Sequence, residues 1–159
     1  MISVNCNSVK SKYYLNDISR IYGTFIKIIK DYVFNKKKIN SGDSIGINNV
    51  RIAFNIMADK TIKLIWKIGE EKEDEKSFDV SSSPILVGRS EKSSVFIKSN
   101  ALSRTHFSIA FTENEWFIRD GNGSKPSTNG SWLLINTETE LENSMIFKAS
   151  ETEFLVKLT

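Results

Sequence analysis

Residues 103–109 read Ser103-Arg104-Thr105-His106-Phe107-Ser108-Ile109, a polar segment that leads directly into a strand pattern. Two other segments have the same character. Gly88-Arg89 follows the apolar run Ile85-Leu86-Val87, and Ser127-Thr128-Asn129-Gly130-Ser131 precedes Trp132-Leu133-Leu134. Polar groups concentrated in loops between apolar strands are typical of a site at one end of a β-sandwich. The three segments therefore predict one site built from three loops.

The sequence around these loops has the two-residue period of β-strands. Ile62, Leu64, Trp66 and Ile68 alternate with a more polar set, and similar alternation recurs at 107–111, 116–118 and 154–158. Polar turn residues separate the runs, and the acidic stretch 69–76 predicts an exposed hairpin loop. Many short strands joined by polar turns predict an all-β, antiparallel sandwich. Its three tryptophans, Trp66, Trp116 and Trp132, are interpreted as packing residues.

The motifs Gly88-Arg89, Ser103-x-x-His106 and Asn129-Gly130 resemble, in order and approximate spacing, those of the forkhead-associated (FHA) family. Members of that family are β-sandwich modules that bind phosphothreonine peptides. The resemblance covers roughly residues 61–159. One departure from the family pattern lies at Ser93-Ser94-Val95-Phe96, where an acidic residue is common. It affects the expected packing of one loop and leaves the expected phosphate site unchanged.

The resemblance implies a role for each residue of the three loops. The phosphopeptide-binding set is Arg89, Ser103, Arg104, Thr128 and Asn129, and the loop-shaping set is Gly88, His106 and Gly130. The side chains of this set suit a phosphothreonine ligand, because phosphothreonine carries about two negative charges and three acceptor oxygens. An arginine offers a planar fork of donors to such a group, Ser103 offers a hydroxyl and a backbone N–H, and Asn129 can pair with a peptide main chain.

The composition narrows the class of protein. The chain has 159 residues, of which 40% are hydrophobic and 26% charged, and none of its apolar runs approaches the length of a membrane span. Cys6 is the only cysteine, so no internal disulfide is expected and a reducing, intracellular location in cytoplasm or nucleus is predicted. His106, the only histidine, has no triad pattern around it. We therefore predict a binding module that is not an enzyme and that holds no metal or cofactor.

The first part of the chain differs from the second in charge. The net charge is +3, but residues 1–60 contain ten Lys or Arg and four acidic residues, whereas residues 61–159 contain twelve and fifteen. The basic cluster Lys27, Lys30, Lys36, Lys37 and Lys38 is interpreted as a solvated surface rather than a nucleic-acid site. Helical spacing at 25–33 is an alternative to the strand predicted there.

Residues 1–58 also have strand and turn patterns like those of the C-terminal half of an FHA domain, without a Gly-Arg or Ser-x-x-His motif. The sequence thus predicts a degenerate, partial FHA-like β unit at 1–58 and an FHA domain at 61–159. Since half a sandwich exposes strand edges, the first unit is expected to be completed by the second domain, by another subunit or chain, or by a preceding part of the protein. The expected partner of the FHA domain is a phosphothreonine-containing protein. The alternative function is a phosphate-independent structural subunit of a larger assembly.

Overall fold

A computed structural model describes residues 1–7, 12–18, 23–28 and 36–158 of the chain. These residues form sixteen β-strands, and the list follows chain order. They are β1 (Ile2–Asn7), β2 (Lys12–Asp17), β3 (Thr24–Ile28), β4 (Lys37–Lys38), β5 (Ser44–Ile47), β6 (Val50–Ile56), β7 (Ile62–Ile68), β8 (Asp74–Phe78), β9 (Ile85–Gly88), β10 (Val95–Phe96), β11 (Phe107–Thr112), β12 (Glu115–Asp120), β13 (Ser131–Leu134), β14 (Thr139–Glu140), β15 (Ile146–Ala149) and β16 (Thr152–Leu155).

The prediction of an all-β protein with antiparallel sheets is confirmed. The only helical segment in the described ranges is a single 3₁₀ turn, Val80–Ser82, whose N-cap Asp79 accepts hydrogen bonds from the backbone of Ser81 and Ser82. Within the same ranges no helix is long and apolar enough to cross a membrane.

The chain divides into two compact units. The first joins Met1–Lys27 to Leu133–Thr159. In it, β2 pairs with β1 on one side and β14 on the other, while β15 pairs with both β16 and β3. Its apolar core is small, and Ile2, Ile26 and Met145 pack around it. The core consists of Leu15, Ile135, Leu141, Phe147 and Val156.

The second unit is Ile28–Trp132, and it contains the three predicted loops. One of its sheets has the order β10-β9-β11-β12-β4, and β5, β6, β7 and β8 follow one another as antiparallel neighbours in the other. Alternate residues of these strands are buried, as the two-residue period requires. The buried apolar residues of the unit include Ile45, Ile52, Phe54, Ile62, Leu64, Ile85, Val87, Phe107, Ile109, Trp116 and Ile118.

Trp116 joins the two sheets of this unit. Its ring is 1% exposed and packs edge-on against Phe111, with centroids 5.1 Å apart. The indole N–H donates to the carbonyl of Lys60, in the turn between β6 and β7, at 2.7 Å. A large buried ring with a satisfied N–H contributes both apolar burial and a fixed point between the sheets. Trp132 is also buried, whereas Trp66 is half-buried.

Three local expectations meet different outcomes. Residues Thr24–Ile28 form a strand, in agreement with the preference for a strand over a helix at 25–33. The rest of that segment, residues 29–33, lies outside the described residues. The hairpin loop at 69–76 is shorter than expected, because Asp74–Phe78 forms β8, which pairs with residues Ile62–Trp66 of β7. The alternation at 154–158 does not make a buried face, because Phe154 and Leu158 are 39% and 41% exposed.

The predicted division of the chain at residues 58 to 61 stays a prediction. In the structure that point lies in the turn between β6 and β7, which pair over seven residues from Val50↔Ile68 to Ile56↔Ile62. The edge of β6 is therefore already covered by β7 within the same chain.

Replacing Trp116 by phenylalanine should destabilise the second unit. The substitution leaves the part-buried Lys60 carbonyl without its donor; losing the partner of a fully buried polar group costs about 1–3 kcal/mol, so a loss of up to that size is expected. Urea unfolding of the full chain measures this loss. The matched control is Trp66→Phe at a half-buried ring, which should cost less; equal effects for the two variants would contradict the assigned role of Trp116.

Candidate functional site

The strand register brings three loops of the second unit to one edge of a sheet. Phe107, the first residue of β11, pairs with Val87 of β9 on one side and with Asp120, the last residue of β12, on the other. The segments that follow β9, precede β11 and follow β12 therefore leave the sheet from neighbouring positions. We refer to residues 89–94, 97–106 and 121–130 as the three loops.

Gly88 lets the first two loops approach each other through their backbones. The N–H of Arg89 donates to the Ser103 carbonyl at 3.0 Å, and that of Ser90 donates to the Arg104 carbonyl at 3.1 Å. A Cβ atom at position 88 would overlap the Arg104 carbonyl and crowd the Ser103 oxygen. This close backbone approach requires glycine.

Ser103 and Thr128 connect the second and third loops. The N–H of Thr128 donates to Ser103 Oγ at 3.0 Å, and the two hydroxyl oxygens lie 3.3 Å apart. A contact between two hydroxyls uses only one of their two hydrogens. One hydroxyl hydrogen of the pair therefore remains, and it can be donated in a hydrogen bond to an anion. The backbone N–H of Ser103, by contrast, is already bonded to the ring of His106 and cannot be offered to a ligand as expected.

His106 lies beneath the second and third loops and is fully buried. Its Nδ1 accepts from the Ser103 N–H at 3.0 Å, and its Nε2 lies 3.1 Å from the Gly130 carbonyl. A backbone N–H can only donate, so Nδ1 must be the acceptor and Nε2 carries the proton that Gly130 accepts. Burial lowers the pKa of His106 from its usual 6.5, although the Gly130 hydrogen bond and the charge of Asp120 act in the opposite direction. His106 is thus a neutral, buried residue, and both of its ring nitrogens are engaged in hydrogen bonds within the protein.

The stability of the chain should decrease on mild acidification because of His106. Its pKa is lower in the folded state, so the unfolded chain takes up the proton first. The free energy of unfolding is then fully retained well above the usual pKa of 6.5 and falls as the pH drops through that value toward the folded pKa. His106 is the only histidine, and carboxylates titrate lower, so a slope between about pH 5.5 and 7 belongs to it.

Urea unfolding at several pH values tests this expectation against His106→Asn. The asparagine carbonyl can still accept the Ser103 N–H, but the variant has no group that titrates in this range. It should be less stable than the wild type and should show no slope. An equal slope in both proteins would contradict the assignment to His106.

Asp120 organises the third loop, a role that the sequence did not reveal. The residue is 5% exposed, and its carboxylate accepts three hydrogen bonds. The Ser127 N–H donates to Oδ2 at 2.9 Å, while the Ser127 and Ser131 hydroxyls donate to Oδ1 at 2.7 and 2.6 Å. These bonds fix both ends of the segment that carries Thr128 and Asn129. A strand ending in aspartate seven residues before a serine was visible in the sequence, but its contacts depend on the path of the loop.

Replacing Asp120 by alanine should destabilise the chain and disorder the third loop. Hydrogen bonds to charged groups contribute about 1.5–3 kcal/mol each, so the loss should reach at least that range. Chemical unfolding measures the loss in free energy of unfolding, and amide hydrogen exchange at residues 127–131 measures how far the third loop becomes disordered. Ser127→Ala, which removes only one side-chain donor, serves as the milder comparison; equal losses in both variants would contradict the central role of the carboxylate.

Asn129 is at the exposed tip of the third loop, held from two sides. Its side-chain Nδ2 donates to the Ala101 carbonyl at 2.8 Å, and its own carbonyl accepts from the Trp132 indole N–H at 3.1 Å. One N–H and the carbonyl oxygen of the amide have no hydrogen-bond partner among the described residues. Gly130 follows with φ of 71°, a conformation that favours glycine.

Arg89 and Arg104 supply the positive charge of the site. Both side chains are exposed, and neither has an ion-pair partner within the described parts of the chain. The structure thus brings exposed guanidinium groups, a hydroxyl pair and a polar amide to adjoining loops. Such an arrangement can bind an anion and a peptide backbone. In ranges 1–7, 12–18, 23–28 and 36–158 no group of three or more His, Cys, Asp or Glu residues could hold a metal ion.

Comparison with known proteins agrees with this geometry. Residues 85–149 match the family model of the FHA domain. This segment is a member of the FHA family. No curated protein and no solved structure matches the chain.

The FHA match begins at the first residue of β9 and ends at the last residue of β15, so it includes all three loops. It confirms the resemblance carried by the Gly-Arg, Ser-x-x-His and Asn-Gly motifs. FHA domains are non-catalytic modules that bind phosphorylated proteins. The roles of the individual residues in this chain stay predictions, as do the wider bounds 61–159.

Proposed function

We propose that the chain is an adaptor that binds phosphothreonine-containing proteins through the three loops of its FHA domain. Arg89 and Ser103 contact the phosphate, Arg104 and Thr128 assist, and Asn129 holds the peptide main chain. The observation that carries the proposal is the arrangement of exposed arginines, which have no ion-pair partner among the described residues, beside a hydroxyl pair on loops fixed by buried hydrogen bonds.

The fixed loops favour binding because little conformational entropy remains to be lost. Ser103 is restrained through both its N–H and its Oγ, and Asn129 through both its side chain and its carbonyl. Groups that are held in place before binding pay less for ordering when the ligand arrives. The exposed guanidinium groups then provide charge-assisted hydrogen bonds to a dianion, which are stronger than neutral ones. The preference for threonine rests on the family likeness.

Truncating Arg89 should abolish most of the affinity for a phosphothreonine peptide. Removing one partner of a hydrogen-bonded charge pair that becomes buried on binding costs roughly 2–5 kcal/mol. Calorimetric titration of the full chain with a phosphothreonine peptide library measures the effect. Arg89→Lys should retain part of the affinity, because a lysine keeps the charge but loses the planar fork.

Arg51→Ala is the matched control, since Arg51 is an exposed arginine on β6 and its loss changes the net charge equally. It should bind like the wild type. The library is also tested with threonine and phosphoserine in place of phosphothreonine. Equal binding of phosphorylated and unphosphorylated peptides would reject the adaptor function.

A phosphate-independent structural role is the second candidate. In the first unit β16 is exposed along its whole length, and Phe154 and Leu155 are 39% and 56% exposed. Apolar side chains on an uncovered strand are typical of surfaces that pack against another protein. Binding of an assembly partner that is unaffected by Arg89→Ala and reduced by Phe154→Ser would favour this candidate.

A further inference from the structure

The strand β1 forms an open edge of the first unit. Among the described residues it is the terminal strand of the sheet β1-β2-β14, and it pairs with β2 alone. An edge strand presents a row of backbone N–H and C=O groups with which another strand can pair. Since β1 lies outside the segment that matches the FHA family, this edge belongs to the chain and not to the matched segment.

The pairing of β1 with β2 shows which backbone groups face outward. Met1 lies opposite Ile18, and the N–H of Ile18 donates to the Met1 carbonyl at 3.1 Å. In an antiparallel pair, positions that are hydrogen-bonded to the neighbouring strand alternate with positions whose polar groups point away from it. The N–H and C=O groups of Ile2, Val4 and Cys6 are therefore directed toward the open edge.

The side chain of Val4 is apolar and uncovered. It is 51% exposed. Ile2, two residues earlier and so on the same face of the sheet, packs against the core of the first unit. The apolar face of this sheet thus continues along β1 beyond the part that the core covers. A strand added beside β1 would cover Val4 with the residue opposite it.

The edge of β1 also lacks the residues that protect other edges from an added strand. The segment Ile2–Asn7 contains no charged residue and no proline. The edge strands β8 and β16, by contrast, carry charged side chains, namely Asp74, Glu75 and Lys76 in β8 and Glu153 in β16. Charged residues on an edge oppose the addition of another strand. Of these three edges, β1 is therefore the one best suited to pairing.

A second copy of β1 is the strand that fits this edge. Antiparallel pairing about a two-fold axis at Val4 places Val4 opposite its own copy and Ile2 opposite Cys6 of the other copy. Every outward N–H of Ile2, Val4 and Cys6 then meets an outward C=O, which gives six hydrogen bonds, three donated by each strand. A shift by one residue would instead oppose these groups to groups already bonded to β2.

The charge of the first unit permits this association. Met1–Lys27 carries four basic residues and one acidic residue, and Leu133–Thr159 carries two and five, so the unit is electrically balanced. Two copies therefore approach without strong long-range repulsion. A ladder between six-residue strands is small against the about 1,200–2,000 Å² that specific, stable interfaces bury, so the association is weak and depends on concentration.

From these observations we infer that β1 is a self-association surface, through which two copies of the chain form a two-fold dimer. The sheets of the two copies become continuous, in the order β14-β2-β1-β1-β2-β14. The contact does not depend on a phosphopeptide. Each dimer carries the three loops twice, so it makes the proposed binding module bivalent.

The test measures the oligomeric state of the full chain by sedimentation velocity over a wide range of concentration. The wild type should shift from monomer to dimer as the concentration rises. Val4→Pro removes one outward donor from each copy and leaves the hydrogen bonds between β1 and β2 in place. It should weaken dimerisation by roughly tenfold or more, because the two-fold axis doubles the loss. Urea unfolding checks that the variant is folded.

An exchange of charge tests the register. Val4→Lys places like charges opposite each other at the axis and should also weaken the dimer, whereas an equal mixture of Val4→Lys and Val4→Glu should form a mixed dimer. Native mass spectrometry identifies the mixed dimer by its mass. Leu155→Lys is the matched control, because Leu155 is a 56% exposed apolar residue on the edge strand β16. It should dimerise like the wild type.

A chain that stays monomeric at every concentration would overturn the inference. So would a dimer that Leu155→Lys weakens and Val4→Lys does not, since β16 would then be the interface. Assemblies larger than a dimer, or the absence of a mixed dimer, would overturn the two-fold pairing at Val4.

Discussion

The imidazole of His106 is the contact on which the other features of the site depend. It accepts the Ser103 N–H with one nitrogen and donates to the Gly130 carbonyl with the other, so two loops are joined from below by one buried ring. Both bonds require the neutral ring with its proton on Nε2. Because the ring is withdrawn from water, the pKa of His106 is lowered and the ring stays neutral at physiological pH, so both hydrogen bonds are kept.

Two further buried residues hold the loops that His106 joins. Asp120 accepts hydrogen bonds from Ser127 and Ser131 and so fixes the loop in which Gly130 lies. Gly88 permits the backbone of the first loop to bond directly to Ser103 and Arg104. The loops are therefore positioned by groups beneath the surface. The exposed guanidinium groups of Arg89 and Arg104 above them form no ion pair among the described residues and are available for binding.

Part of this organisation follows from the sequence. The order of the three motifs predicts the loops, and the two-residue period predicts the strands that carry them, because both patterns are local in the chain. The role of Asp120 was not predictable in the same way, since its two serine partners are 7 and 11 residues away on a loop of irregular path. The exposure of Phe154 was missed for a related reason. Alternation shows that a strand has two faces, but it does not show whether another layer covers either of them.

A cleft of about 390 Å³ beside Arg89, with Phe96 and Lys98 in its lining, is likewise invisible in the sequence, because it depends on the parallel pairing of β9 with the two-residue strand β10. The outward direction of Phe96 and Lys98 is a result of that pairing.

The separation of buried supports from exposed side chains has an evolutionary consequence. Gly88, His106 and Asp120 cannot be exchanged without disturbing the loops, whereas Lys98, Arg104 and Lys125 project into solvent and can be exchanged at little cost in stability. Selectivity can therefore diverge while the architecture remains constant. The same property makes the three loops a suitable scaffold for library selection, in which randomised surface positions yield readers of new phosphorylated sequences.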